Sequence, residues 1–145
     1  MPETTQSYSN HVRWHAPFHF IVIPILFIHL LWSVWQLYKA PDLAHAESLL
    51  LAVGLWVMAF LTRINPLRAQ DRVIRLEERL RYQRVLPADL AAQAIALPIG
   101  FIVALRFASD EELPILARQA IDGKFAKPAG IKRAISSWRG DFLRV

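Results

Sequence analysis

Four histidines near the amino-terminal end are the residues whose type and spacing could do chemistry. His11, His15 and His19 are spaced by four residues, and His29 follows in an apolar stretch. On a helix this spacing places side chains on one face, as a metal or haem site would require. Pro17 interrupts the series, because a proline disfavours helical geometry at the residue before it. We therefore favour the alternative that His11, His15 and His19 lie at the headgroup level of a membrane and bond to lipid phosphate and backbone.

A cofactor role for these histidines needs partners that the sequence does not supply. Haem usually takes ligands from two helices, and the second apolar segment has no interior histidine. A proton pathway through His29 needs a chain of interior ionisable groups, and the sequence offers no interior carboxylate. We therefore favour a neutral His29 side chain that makes one hydrogen bond to a neighbouring helix. Trp32, Trp35 and Trp56 could stack on a pigment or quinone, but membrane anchoring or helix packing is their usual role. The sequence identifies no cofactor and no metal.

The chain lacks the signatures of known catalytic sites. It has no cysteine, which removes thiol nucleophiles, thiolate metal sites and disulfides. Its five glycines are scattered, so it has no glycine-rich phosphate loop and no nucleophile elbow. Glu77 and Glu78 adjoin and point to different helix faces, which excludes a paired-carboxylate site between them. We expect a non-enzymatic protein.

Two apolar segments predict a membrane hairpin that would position these side chains. Residues 16–38 are 23 residues without a charged side chain, which span about 34 Å as a helix, more than a hydrocarbon core of about 30 Å. We place the first transmembrane helix at 17–38, with Pro24 kinking it mildly. Residues 43–62 contain one charge, Glu47 near their start, and form the second. The loop at 39–42 is so short that the two helices must be antiparallel.

The distribution of basic residues predicts the orientation of this hairpin. Lys39 is the only basic residue of the connecting loop, whereas residues 63–145 contain 15 basic and 9 acidic side chains. The positive-inside rule then places both termini in the cytoplasm, including the segment 1–16. The 54% hydrophobic content and the net charge of +5 thus occupy separate parts of the chain. This pattern excludes a disordered chain, and because acidic residues interleave with the basic ones it disfavours nucleic-acid binding.

The residues after the second apolar segment predict a helical cytoplasmic domain. Asn65 and Pro66 are expected to begin a basic amphipathic helix within 63–86. The region 87–145 is expected to add short helices at about 88–96 and 98–108. A further helix is expected to start at the Ser109–Glu112 capping box and to end at Asp122–Gly123. A last helix is expected to start at Pro128 and to present one apolar stripe, formed by Ile131, Ile135 and Trp138. The apolar run 90–105 has 16 residues, which is short for a span, so we keep it on the cytoplasmic side.

The basic amphipathic helix carries two predicted surfaces. Asp71–Arg75 and Glu77–Arg81 are expected to pair at a spacing of four residues, which would leave Arg63 and Arg68 for anionic lipid headgroups. Apolar residues recur near heptad spacing, which indicates a partner interface at Val73, Leu76 and Leu80. Both surfaces point to a protein that assembles on a membrane.

Several sequence strings resemble an uncharacterised bacterial membrane-protein family of unknown function, and the likeness covers nearly the whole chain. The strings are Asn10-His11 with Pro17 and His19, the run Gln70 to Arg81, the run Leu105 to Pro114, Ile131-Lys132 to Trp138-Arg139, and Leu143-Arg144-Val145. The resemblance implies two membrane spans and a cytoplasmic helical tail, but no activity. Asn65-Pro66 departs from the pattern, in which a continuous helix is usual.

Together these patterns predict an all-α inner-membrane protein that acts as an interaction or scaffold subunit of a homo-oligomer or larger membrane complex. An accessory subunit of an electron-transfer or photosynthetic complex, touching a haem, pigment or quinone through its histidines and tryptophans, is the alternative. Membrane lipids are expected partners in either case, and nucleic acid is not.

Overall fold

The computed structural model describes residues 6–10 and 15–141, and this part of the chain is all-α. It consists of a π-helical turn at Phe18–Val22 followed by α1 (Ile23–Lys39), α2 (Leu43–Val85), α3 (Ala88–Ile95), α4 (Ile99–Leu105), α5 (Leu113–Ile121) and α6 (Pro128–Ala134). The described chain divides into two compact units. The hairpin unit contains residues 15–67, and the carboxy-terminal unit contains residues 6–10 and 68–141.

The hairpin unit is formed by α1 and the first part of α2. Asp42 begins α2, because its Oδ1 atom accepts a hydrogen bond from the His45 backbone N–H at 2.8 Å and so caps the helix. Trp56 donates from Nε1 to the Leu26 carbonyl at 3.1 Å, which ties residues on opposite sides of the turn into an antiparallel pair. Ser33 and Ala52 are fully buried, and such small residues let helix backbones approach closely.

Apolar side chains cover the outside of the hairpin unit. The helices Phe18–Lys39 and Leu43–Val85 are both long and apolar enough to cross a membrane, judged by length and composition alone. Phe20 and Ile28 are each 67% exposed, and Leu50 is 72% exposed. Pro24 is the second residue of α1, two positions after the end of the π-helical turn, and this local deformation relieves the clash of the proline ring with the preceding turn.

The basic helix predicted to start at Asn65 and Pro66 is not a separate helix, although α2 begins at Leu43 as predicted. Asn65 and Pro66 lie inside α2, which runs without a break from Leu43 to Val85, so a new helix start at this point is wrong. Proline cannot donate a hydrogen bond to the carbonyl four residues earlier, here that of Thr62. That single lost bond is insufficient to end a helix of 43 residues that is already formed on both sides.

The carboxy-terminal unit is built around one hydrophobic core. Within it α3 packs on α5 and α4 packs on α6. The expected short helices at 88–96 and 98–108 correspond to α3 and α4, and the apolar run 90–105 contributes to the core. The largest fully buried apolar side chains of this unit are Tyr82, Phe107, Ile102, Leu105, Leu113 and Ile131.

The segment after α6 differs from the prediction. The helix ends at Ala134, and Ile135 is extended, so an apolar helical stripe that reaches Trp138 is wrong. The chain instead runs back along residues 107–109, where Phe107 accepts from the Arg139 N–H at 2.8 Å and Ser137 accepts from the Ser109 N–H at 3.1 Å. The Trp138 ring lies 5.1 Å from the Phe107 ring. Backbone pairing and ring packing here outweigh the local helical pattern.

Glu112 holds this returning segment. The predicted capping box is half formed, because Ser109 Oγ accepts from the Glu112 N–H at 3.3 Å, but the helix begins only at Leu113. The Glu112 carboxylate accepts instead from the backbone N–H groups of Ser136 at 3.2 Å and Ser137 at 3.1 Å. One carboxylate therefore joins the start of α5 to the segment that follows α6.

The amino-terminal residues 6–10 also pack on this unit. Gln6 Oε1 accepts from the Asp141 N–H at 2.8 Å, and the Tyr8 hydroxyl accepts from Arg133 Nε at 3.2 Å. The two ends of the described chain therefore meet in one compact unit.

We expect Glu112→Ala to lower the free energy of unfolding of the carboxy-terminal unit by about 1–3 kcal/mol, because hydrogen bonds from two backbone N–H groups to a carboxylate are lost. Thermal unfolding of the full chain in detergent, followed by circular dichroism, measures this change. Glu111→Ala is the control, since Glu111 is exposed and bonds only near itself. Equal losses in the two variants would contradict the assignment.

Candidate functional site

The candidate site is the outward face of α2 between Arg68 and Leu80, and a buried ion-pair network behind it fixes its position. Arg81 is the centre of the network and its side chain is only 4% exposed. It donates from Nε to Asp110 Oδ1 at 2.8 Å, from Nη1 to Glu78 Oε2 at 3.2 Å and from Nη2 to the Ala108 carbonyl at 2.7 Å. The Arg81 guanidinium thus connects α2 by hydrogen bonds to the loop between α4 and α5.

Glu78 extends this network to the returning segment. Its Oε1 atom lies 3.4 Å from Arg139 Nη1, and Arg139 also donates its backbone N–H to Phe107. Burial raises the pKa of Glu78, against the opposing effect of the charges of Arg81 and Arg139. The hydrogen bond from Arg81 lowers the pKa of Asp110, which is half exposed. Two carboxylates therefore share one buried guanidinium, and the exposed one is the more easily ionised.

This network corrects the pairing predicted from the sequence. Glu77 and Arg81 do not pair, because Arg81 and Glu78 turn inward and bond to each other at a spacing of three residues. Asp71 and Arg75 also form no ion pair in the described structure. The helix is therefore not a solvated, salt-bridged surface at Arg81. Its buried side carries Ile74, Glu78, Arg81 and Tyr82, and burial raises the pKa of the Tyr82 hydroxyl.

The predicted partner interface lies on the opposite, exposed side of α2. Val73 is 54% exposed, Leu76 is 57% exposed and Leu80 is 60% exposed. With Ala69 these residues follow a spacing of four, three and four, which places them on one helix face. We name Ala69, Val73, Leu76 and Leu80 the apolar seam. The carboxy-terminal unit forms its own core without it.

Four arginines form a second row beside the seam. Arg68, Arg72, Arg75 and Arg79 repeat the spacing of four, three and four residues, and we name them the arginine row. They line a surface groove of about 460 Å³ together with Asp71, Leu76 and Ile99. Each pair of like charges at a spacing of three or four residues destabilises a helix by about 0.2–0.5 kcal/mol. The row is visible in the sequence as a spacing, but sequence reasoning had assigned Arg75 to a salt bridge and so missed it.

The two arginines predicted to contact lipid belong to different units. Arg63 is half-buried in the hairpin unit, and Arg68 is exposed in the carboxy-terminal unit at the start of the arginine row. Neither residue has an ion-pair partner within the described ranges. Lipid contact at these positions stays a prediction.

The side chains of His15 and His19 contact nearby backbone atoms. His11 lies outside the described residues. His15 Nδ1 accepts from the Phe18 N–H at 3.3 Å, and His19 Nδ1 lies 3.0 Å from the His15 carbonyl oxygen. His29 is half-buried in α1, and its carbonyl accepts from Ser33 Oγ at 2.9 Å. Across residues 6–10 and 15–141 no three potential ligands come together as a metal site would need.

The tryptophans of the hairpin unit contact other side chains and backbone of that unit. Trp32 and Trp35 lie with ring centroids 4.9 Å apart and both are about half exposed. Trp56 packs against Phe60 at 5.5 Å and bonds to Leu26. Of these contacts only the bond from Trp56 joins the two helices, and membrane anchoring by the tryptophans or binding of a pigment or quinone stays a prediction.

A family model of unknown function, DUF6526, matches residues 1–145. The chain belongs to this family. Membership agrees with the resemblance inferred from the sequence strings, and it brings no activity with it. No curated protein and no solved structure matches the chain. The site of this DUF6526 member therefore has to be interpreted from its own residues.

We expect Arg81→Met to lower the free energy of unfolding by about 3–5 kcal/mol, because it leaves the buried Glu78 carboxylate with only the contact to Arg139. Thermal unfolding of the full chain in detergent measures this loss. Arg79→Met, on the exposed side of the same helix, is the control and should change stability by less than about 0.5 kcal/mol.

The double variant Glu78→Gln with Arg81→Met separates charge from packing. It should recover part of the loss, since no uncompensated carboxylate remains buried. A single variant as stable as the Arg79→Met control would show that the network is not needed for folding.

Proposed function

We propose that this protein is a non-enzymatic integral protein of the inner membrane, in which a two-span hairpin carries a helical interaction domain on the cytoplasmic side. The exposure of large apolar side chains over the hairpin unit carries this proposal. In a soluble protein such helices would be core elements with buried faces. Here Phe20, Ile28 and Leu50 are more than two-thirds exposed, which is favourable only in contact with lipid or another apolar surface.

Two observations support an even number of membrane crossings. Residues 6–10 belong to the same compact unit as residues 68–141, and Gln6 bonds to Asp141 within it. An amino-terminal segment that packs on the carboxy-terminal unit requires both to lie on one side of the membrane. The excess of basic residues after position 62 then favours the cytoplasmic side. Arg63 and Arg68 would contact anionic headgroups there, at about 1 kcal/mol for each residue.

The proposed interaction is self-association through the apolar seam. Val73 and Leu80 occupy the a positions of a heptad repeat, and Ala69 and Leu76 occupy the d positions. A β-branched residue at a with leucine at d, as at Val73 and Leu76, favours a two-stranded coiled coil. Copies in one membrane share an orientation, so a two-fold axis along the membrane normal makes their seams parallel. In a parallel pair Arg72 of one copy attracts Glu77 of the other, whereas Arg79 repels Arg84 one heptad later, so the apolar seam and not charge carries the interface. A second copy of this chain is therefore the partner that we propose.

The topology can be tested with single cysteines, because the chain has none of its own. We expect Ala40→Cys, at an exposed position in the loop between α1 and α2, to react with a membrane-impermeant thiol reagent in intact cells. Ile115→Cys, at a position 63% exposed, should react only after the membrane is permeabilised. The reverse pattern would contradict the orientation. Recovery of the protein in the soluble fraction would contradict membrane insertion.

The interface is tested by disulfide formation in isolated membranes. We expect Leu76→Cys and Leu80→Cys to form disulfide-linked dimers under mild oxidation, because seam residues of two parallel helices meet near the two-fold axis. Ile115→Cys is the matched control, since its exposure of 63% exceeds that of Leu80 at 60%. Dimer formation by the control to the same extent as the seam variants, or by none of them, would exclude this interface.

A further inference from the structure

The arginine row carries a charge that the described chain does not neutralise. Within residues 6–10 and 15–141, no carboxylate forms an ion pair with any of its four guanidinium groups. Asp71 lies in the same groove and is the only acidic residue that lines it in this part of the chain. By contrast, Arg81 on the other side of the helix bonds to both Glu78 and Asp110. The described chain therefore leaves an excess positive charge along one side of α2.

This arrangement has no structural benefit for the helix itself. Neighbouring arginines of the row are three or four residues apart, so each adjacent pair repels. A local feature that opposes stability without a compensating contact is a sign of a functional site. Because Arg79 lies eleven positions after Arg68 and each step rises about 1.5 Å, the charges extend over about 16 Å. A single small anion would contact only part of it.

The groove also contains apolar surface. Leu76 and Ile99 line it beside the guanidinium groups, and its volume of about 460 Å³ is in the range of small-molecule sites. Arginine binds phosphate through two parallel N–H donors, which favours phosphate over a simple monovalent anion. An elongated organic ligand with several phosphates matches both the charged and the apolar parts of the lining.

We infer that this groove binds a ligand that carries at least two phosphate groups. Such phosphates occur in the headgroup of a diphosphorylated membrane lipid and in soluble polyphosphorylated molecules. Arg68, Arg75 and Arg79 supply the contacts even where Arg72 is engaged with Glu77 of a second copy. The site is thus a binding function in addition to membrane insertion and self-association.

The test uses the full chain purified in an uncharged detergent. Tripolyphosphate is the soluble probe and its affinity is measured by isothermal titration calorimetry. Cardiolipin, with two phosphates, is the lipid probe and is compared with phosphatidylglycerol, with one, by native mass spectrometry. The groove variant is Arg75→Gln with Arg79→Gln. The matched control is Lys124→Gln with Lys127→Gln, which removes the same charge from exposed positions outside the groove.

We expect the groove variant to bind the preferred probe about thirtyfold more weakly, since each lost cation near a phosphate changes affinity about fivefold. The control variant should bind like the natural chain, and circular dichroism should show both variants folded. Tight binding of tripolyphosphate would identify a soluble ligand, and selective binding of cardiolipin would identify a lipid.

Absence of saturable binding to either probe would overturn the inference. So would equal weakening in the groove and control variants, because the effect would then reflect net charge alone. If Leu76→Cys and Leu80→Cys form disulfide-linked dimers but the chain binds neither phosphate probe, the inferred phosphate site is refuted and the proposed self-association stands.

Discussion

The ion pair between Arg81 and its two carboxylates is the interaction on which the carboxy-terminal unit depends. Arg81 bonds to Glu78 on its own helix, to Asp110 in a loop 29 positions away, and to the carbonyl of Ala108. Glu78 then contacts Arg139 in the returning segment. Burying these charges is costly, and only their mutual contacts offset the loss of water. The network therefore determines which face of α2 points inward.

The orientation of α2 decides what the rest of the unit can expose. Because Ile74, Glu78, Arg81 and Tyr82 are buried, the apolar seam and the arginine row both lie on the outside. An apolar row that a helix does not use for its own domain is available for a second helix. A row of arginines without carboxylate partners in the described chain is available for anions. Both surfaces are exposed because α2 has one fixed orientation about its own axis, and the buried ion pairs stabilise that orientation.

Local patterns predicted most of the elements correctly. The apolar stretches, the stops at Pro87 and Pro98 and the glycine at position 123, whose φ of 75° suits that residue, are all local features. Pro66 was misinterpreted, since its effect depends on whether helix exists on both sides of it. The helical spacing of Ile131, Ile135 and Trp138 also failed beyond Ala134, because backbone pairing with residues 107–109 replaced it. That pairing joins positions about 30 residues apart, and no local spacing encodes it.

The sequence by itself determined the two apolar helices and the basic character of residues 63–145, because these depend on composition and on contacts between near neighbours. Only the tertiary structure decided that Arg81 is buried and that Arg75 has no carboxylate partner among the described residues. Asp71 and Glu77 stand at the right spacing for salt bridges with Arg75 and Arg81, but the core turned Arg81 toward Glu78 and Asp110. A buried charge bonds to whichever partners the packed chain brings within reach, and for Arg81 one of these is distant in sequence.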